Sequence, residues 1–262
     1  TLGGKPAFPV NISINDVAAH YTADINDILE IPEKGLVKVD AGVHIDGYIT
    51  DAAITIPLSE NYGVFLEAVY EALRIAIKKI RPGIRLGYLG LFIENSIRKY
   101  GLNPISNLTG HLISRYNLHA GKSVPNIGSS YGAVVKPGEV YAIEPFATNG
   151  YGEVEEGYIT VIFKLERNSK SKKLGKLIES KIRENFDHLP FAKRWLLKVF
   201  DPMEIEEIIR KGLKSKALRG YPVLKEVTGG MVSQVEDTII VSEENKVYES
   251  VGTLEIFKEI IR

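Results

Sequence analysis

The sequence predicts an α+β chain in which a helical insertion interrupts a mixed core. Three observations carry this: a strand–turn–strand signal around Asp46-Gly47, two amphipathic helical segments after it, and a basic stretch of helical pattern at residues 161–225. A length of 262 residues suits one large domain or two modest ones, and 44% hydrophobic with 25% charged residues is the composition of a chain that buries a core.

The elements follow in chain order. Gly3-Gly4-Lys5-Pro6 leads into a first strand. Over residues 36–58, an apolar-rich run from Leu36 to Ile45 meets Asp46-Gly47, and Tyr48 to Pro57 runs back; Asp-Gly between two such runs is a strong hairpin signal. Val64, Ala68, Val69, Ala72, Leu73, Ala76, Ile77 and Ile80 then recur at helical spacing until Arg81-Pro82-Gly83 stops the helix. A second helix covers Leu86 to Tyr100 and ends at Gly101. Strands are expected at Val140 to Ala147 and Tyr158 to Phe163. Leu174 to Phe186 is periodic again, and Asp201-Pro202 supplies an N-cap and first position for a helix over 203–213. Gly229-Gly230 turns into a last strand from Met231 to Val241.

A weak echo runs through this order. Gly3-Gly4-Lys5-Pro6 matches Gly101-Leu102-Asn103-Pro104, and Lys34-Gly35 before Asp40 matches Lys136-Pro137-Gly138 before Glu144. A duplicated α+β unit gives such an echo, and so does chance. As a duplication, it leaves the first copy without its helix pair, and about 40 residues are then expected upstream of Thr1.

Composition excludes several functions. The chain has no cysteine, so it has no disulfide, no zinc-thiolate site and no cysteine nucleophile. No window approaches 18 consecutive apolar residues, which argues against a membrane-spanning helix. The net charge of zero is unevenly spread: residues 161–225 hold 17 of 33 basic and 8 of 33 acidic side chains, a surplus of nine positive charges against an acidic remainder.

The acidic remainder contains the chemistry. With a two-residue turn at Asp46-Gly47, Asp51 lies opposite Gly42, and Asp40 is two residues along on the same face. The two aspartates are then diagonal neighbours, roughly 5.5–8 Å apart at the backbone. Carboxylates that close repel unless a cation or a shared proton lies between them, and two divalent metals about 3.5–4 Å apart would satisfy them. A hairpin with acidic residues on its solvent face gives the same pattern. Glu144 and Glu236, however, also interrupt apolar runs, and His111 follows Thr109-Gly110 at the start of a strand or turn. A buried carboxylate is costly unless paired or metal-bound. One metal centre accounts for the set more simply than separate lysine ion pairs.

Lys5-Pro-Ala-Phe-Pro9, Ala18-Ala-His-Tyr-Thr22, Val39-Asp-Ala-Gly-Val-His-Ile-Asp-Gly47, His119-Ala-Gly-Lys-Ser-Val-Pro125, Ile143-Glu-Pro-Phe-Ala147 and Tyr221-Pro-Val-Leu-Lys-Glu226 resemble the archaeal-type type 2 methionine aminopeptidases. These are dinuclear metallopeptidases of the creatinase/aminopeptidase or pita-bread fold, and the resemblance spans essentially the whole chain. It implies pseudo-two-fold α/β halves, a catalytic domain formed by residues 1–160 and 226–262, and a winged-helix-like subdomain at 161–225. Asp40 would chelate one metal, Asp51 and Glu236 would bridge both, and His111 and Glu144 would hold the other. Glu144 would also shuttle a proton. His20 would contact the scissile amide nitrogen or deliver its proton, and His119 would hydrogen-bond the substrate carbonyl. Phe8 and Leu118 would line a methionine pocket. His44 and His188 read as structural.

Two divalent ions, Co, Mn, Fe or Zn, suit one imidazole and four carboxylates. The implied reaction is removal of the initiator methionine from nascent proteins in the cytoplasm. The basic subdomain either meets ribosomal RNA or is a solvated surface unit without a partner, and a monomer is the default expectation. Proline-specific cleavage on the same fold and a non-catalytic ribosome-binding paralogue are the alternatives; the presence of all five ligands and both histidines separates this chain from the latter. Where relatives commonly carry Glu-His-Thr, the chain has Glu236-Asp237-Thr238, and strand alternation turns Asp237 away from the metal face. The connector Gly150 to Gly157, with Glu153, Glu155 and Glu156, also departs from the pattern.

Overall fold

A computed structural model describes residues 3–166, 174–244 and 246–261, with the side chains of 260 and 261 excepted. The predicted hairpin has its predicted register: Leu36–Ile45 and Tyr48–Pro57 pair without a slip from Leu36↔Pro57 to Ile45↔Tyr48. Asp46 and Gly47 take the positive φ values, 52° and 83°, that a tight two-residue turn requires. Gly42 therefore faces Asp51, and Asp40 faces Ala53. Lys5–Pro6 pairs with His44 and Val43 along the outer part of the first hairpin strand, and Asn11–Ile14 pairs further along, setting Asn11 beside Asp40.

Helix α1 (Gly63–Lys79) stops at Ile80, ahead of Pro82-Gly83. Helix α2 (Leu86–Arg98) ends two residues short of the expected Tyr100, and Gly101 at φ 74° turns the chain. The periodic side chains of α1 are buried or partly buried except Val64 in its first turn, which is exposed. With α2 and a C-terminal helix they form the main core against Tyr141, Ile143, Ile239 and Val241 of a five-stranded sheet.

Two expected strands are broken. Val140–Ala147 is split into Val140–Ile143 and Phe146–Thr148, and Met231–Val241 into Val232–Gln234 and Asp237–Val241. The reason is topological. Ile143 pairs with Asp237 in the five-stranded sheet, whereas Phe146 pairs with Gln234 in a separate three-stranded one. Both chains step from one sheet to the other together, so Glu144 and Glu236 sit in facing breaks. His111 lies mid-strand in Thr109–Ile113, paired with Ala142.

The basic stretch holds α3 (Lys176–Phe186), which begins two residues later than expected, and α4 (Pro202–Lys214), capped by Asp201 through a bond from the Met203 N–H. At both ends it is strand: Val154–Leu165 pairs antiparallel with Leu218–Glu226. Phe163, Ile182, Phe191, Leu196, Ile205 and Ile208 belong to a core of its own. Four of its basic residues, Arg167, Lys170, Lys172 and Lys173, lie outside the described residues, as does Thr1. A short strand Val247–Glu249 and α5 (Thr253–Ile261) close the chain, and neither was expected from the sequence.

Candidate metal centre and cleft

The hairpin offers its two aspartates from one face, and glycine at 42 leaves room for the Asp51 carboxylate. A Cβ added there would stand 3.0 Å from Asp51 Oδ1. Glu144 and Glu236 come from the facing strand breaks, and His111 from the neighbouring strand. Ligand atoms of Asp51, His111 and Glu236 lie within 4.8 Å of one another. His111 Nε2 is 3.5 Å from Glu144 Oε1 and 3.9 Å from Asp51 Oδ2. Asp40 Oδ2 accepts a hydrogen bond from Asn11 Nδ2 at 3.3 Å, and Glu236 Oε2 accepts one from Gln234 Nε2 at 3.3 Å.

The remaining valences point to a cation. Asp51 Oδ1 and Glu236 Oε1 are buried without a hydrogen-bond partner, an expensive state for a carboxylate. Burial, and then the neighbouring acids, push Asp51, Glu144 and Glu236 well above the usual carboxylate range. Burial raises Asp40 to about 6, against the opposing effect of Asn11 and Gln234. Four mutually repelling carboxylates and one imidazole fit hard or borderline divalent ions.

Around them lies a cleft of about 230 Å³ whose walls include Phe8, His20, Leu118 and His119 as well as the five acid and imidazole groups. Every site residue expected from the sequence therefore faces one space. His20 follows a short strand, Val17–Ala19, in a left-handed conformation at φ 67°, unusual for a non-glycine residue and a form of strain that concentrates at functional sites. Its Nδ1 is 3.0 Å from the Pro222 carbonyl oxygen; that oxygen only accepts, so the ring donates there and Nε2 is left as an acceptor. Burial lowers the His20 pKa to about 4. The ring of His119 lies 4.3 Å from that of His111, and surrounding protein mass, with His111 next, lowers its pKa to about 3 although it opens onto the cleft. Burial likewise lowers His111 to about 4.

Three further residues join the site. The Tyr221 ring meets His20 and Phe8 edge-on at 5.5 and 5.6 Å and lies 6.4 Å from His119, making one aromatic wall. Its place in the Tyr221–Glu226 motif was a usable signal. Asn11 and Gln234 act through neighbours in space, which spacing along the chain does not reveal. Arg194, from the basic stretch, donates to Thr22 Oγ1 at 2.7 Å, and Lys193 pairs with Asp24 at 2.7 Å; both hold the segment that follows His20. His44 and His188 lie apart from the cleft: His44 Nδ1 accepts from the Gly47 N–H at 3.1 Å, and His188 Nδ1 lies 3.5 Å from the Leu165 carbonyl. Glu153, Glu155 and Glu156 are exposed.

Known proteins resemble this chain along most of its length. The pattern of metallopeptidase family M24 matches residues 2–243. The methionine aminopeptidase of Pyrococcus horikoshii is 46% identical over 246 residues, 93% of this chain and 83% of that protein. That of Saccharolobus solfataricus is 48% identical over 240 residues, 90% of this chain and 79% of that one. A solved thermophilic Arx1 has the same fold, with TM-score 0.83 at 17% identity over 99% of this chain and 83% of its own.

Proposed function

From the premise that this chain belongs to metallopeptidase family M24, we propose how it works. It is a metal-dependent aminopeptidase that removes N-terminal methionine from peptides and nascent proteins. The observation that carries the chemistry is the close group of Asp51, His111 and Glu236, with Asp40 and Glu144 on the same cleft and two carboxylate oxygens buried and unpartnered. Asp40 would hold one divalent cation, His111 and Glu144 a second, with Asp51 and Glu236 shared between them; Co, Mn, Fe and Zn fit the donor set. When bound, such a pair supplies Lewis-acid polarisation of the scissile carbonyl and lowers the pKa of water.

The chain's own groups do the rest. The acidic floor at the Asp40 end attracts the free α-amino group of the substrate, which favours a chain terminus. Phe8, Leu118 and Tyr221 offer an apolar wall to the methionine side chain, and a cleft of about 230 Å³ selects by shape. His20 is neutral with Nε2 free to accept, so it receives the N–H of the scissile amide. His119, also neutral, can donate one ring N–H to the carbonyl oxygen. Glu144, 3.5 Å from His111, would pass a proton as well as bind.

We propose that the protein works on nascent chains in the cytoplasm, as a monomer. No described helix is long and apolar enough to cross a membrane. The surplus of nine positive charges over residues 161–225 would meet ribosomal RNA. Ribosome co-sedimentation across a salt series tests this: a chain with Lys176, Lys181, Lys211 and Lys214 changed to Glu that binds as well as the wild type removes the contact. The activity itself is tested by metal reconstitution on peptides beginning Met-Ala, Met-Leu and Xaa-Pro. Free methionine is released from Met-Ala peptides and lost in Asp51→Asn; cleavage confined to Xaa-Pro peptides overturns the assignment.

A further inference from the structure

Away from the cleft, the C-terminal tail reaches back to the backbone that carries the candidate ligands. Val247–Glu249 pairs antiparallel with Asp237–Val241, from Val241↔Val247 to Ile239↔Glu249, so the chain retraces that strand toward the site. At the end of the pairing, the Ser250 N–H donates to the Thr238 carbonyl at 2.9 Å. Asp237 then takes the tail in hand. Its Oδ1 accepts the Val251 N–H at 3.1 Å and its Oδ2 the Thr253 N–H at 2.8 Å. Thr253 is the first residue of α5, so a fully buried carboxylate caps the positive end of that helix. Leu254 and Phe257 anchor α5 in the main core, and the Phe257 ring stacks on Tyr70 of α1 at 6.3 Å and 12°.

The same three residues, 236 to 238, also hold the ligands. The Glu236 backbone bonds Ala53 in both directions, at 2.9 and 3.3 Å. Thr238 Oγ1 accepts the Asp51 N–H at 2.7 Å and donates to the Asp51 carbonyl at 2.9 Å. Asp51 Oδ1 and Glu236 Oε1 have no hydrogen-bond partner, while the other oxygen of Glu236 is steadied by Gln234. Both side chains are carried on backbone that is pinned between the hairpin on one side and the tail on the other. The tail lies beyond the family match, which ends at residue 243.

We infer that the C-terminal tail is a positioning element for the metal centre, acting through Asp237 to fix Glu236 and Asp51. The inference rests on reading the acidic cluster as a metal centre. Residues that orient metal ligands from behind typically change affinity by about 10–100-fold when altered. Freeing the Val251 and Thr253 N–H groups by Asp237→Ala, or loosening α5 by Phe257→Ala, is expected to weaken binding by that factor.

The test is calorimetric titration of the full, metal-stripped chain with Mn²⁺. Wild type is compared with Asp237→Ala, Asp237→Asn, Phe257→Ala and Ile208→Ala, the last in the separate core of the basic stretch. Asp237→Ala and Phe257→Ala should bind about 10–100-fold more weakly. Asp237→Asn, which keeps one acceptor oxygen, should recover part of the loss. Ile208→Ala should melt earlier yet bind as wild type, which separates positioning from general loss of stability. If Asp237→Ala does not fold, Asp237→Asn and Phe257→Ala decide the matter. Wild-type affinity in the folded tail variants, or equal weakening in Ile208→Ala, overturns the inference alone; a wild type that takes up no Mn²⁺ overturns the metal-centre reading and the inference with it.

Discussion

Gly42 stands directly across the hairpin from Asp51, and the side chain it lacks is the space that Asp51 Oδ1 borders at 3.0 Å from an ideal Cβ. Gly42→Ala is therefore expected to leave the fold intact, because the hairpin register is fixed by its turn and by twenty paired residues' worth of neighbours, yet to push the Asp51 carboxylate aside. Metal affinity and activity should each fall by about 10–100-fold. Circular dichroism with metal titration checks it; unchanged affinity would show that Asp51 has room to move.

How much of this was legible in the sequence depends on which forces act locally. Asp46-Gly47 fixed the hairpin, and period-two alternation then placed Asp40 and Asp51 on one face, because a turn type dictates register. Helix α1 was legible from spacing and from its Pro82-Gly83 stop. The breaks at Glu144 and Glu236 were not: they arise because two strands change sheets together, a pairing between segments 92 positions apart. Asn11 was invisible for the same reason, being set beside Asp40 by strand pairing. Helix α5 is short, and its capping carboxylate comes from Asp237, sixteen residues upstream of Thr253, so no local box announces it.

Asp51→Asn separates the needs of the fold from those of the site. The carboxylate is buried beside Asp40 and raised well above its usual range, first by burial and then by that neighbour. A group held above its unfolded pKa favours folding at low pH and loses that advantage as pH rises through its folded value. In metal-free protein at pH 8, replacing it with a neutral amide should raise Tm by several degrees. The same variant should no longer respond to metal. A thermal scan with and without Mn²⁺ checks both halves, and a lower metal-free Tm would mean that the acidic cluster is already relieved by some other group.

Lys38 provides a second pH signature. Its side chain is fully buried, with Nζ donating to the Asn15 carbonyl at 2.8 Å. Burial lowers its pKa to about 7, against a small opposing effect of Asp16. Because the folded value lies below the unfolded one, the stability it allows is present above the unfolded pKa of about 10.4 and is lost as pH falls through 7. Lys38→Met should consequently stabilise metal-free protein most below pH 7, with the gain shrinking steadily toward pH 10. Chemical denaturation of both chains between pH 6 and 10 measures the difference; a gain that does not vary with pH would mean that Lys38 keeps its proton in the folded state.

His20 tests the division of labour inside the cleft. The ring is held between Phe8 and Tyr221, and its Nδ1 is committed to the Pro222 carbonyl, so Nε2 is the atom left for substrate. Its pKa of about 4 keeps it neutral across the working range. In the role proposed for it, contact with the scissile amide, His20 would act as the bond breaks more than when substrate first binds, so its removal should appear in kcat more than in KM. His20→Ala is expected to lower kcat by about 10²–10⁴-fold, while KM changes only a few-fold and Mn²⁺ affinity stays at the wild-type value, since none of the five candidate ligands is touched. The residual activity should show no new ionisation between pH 5 and 7, because the wild-type imidazole does not titrate there. Equal losses in metal affinity and in kcat would reassign His20 from the reacting bond to the support of the acidic cluster.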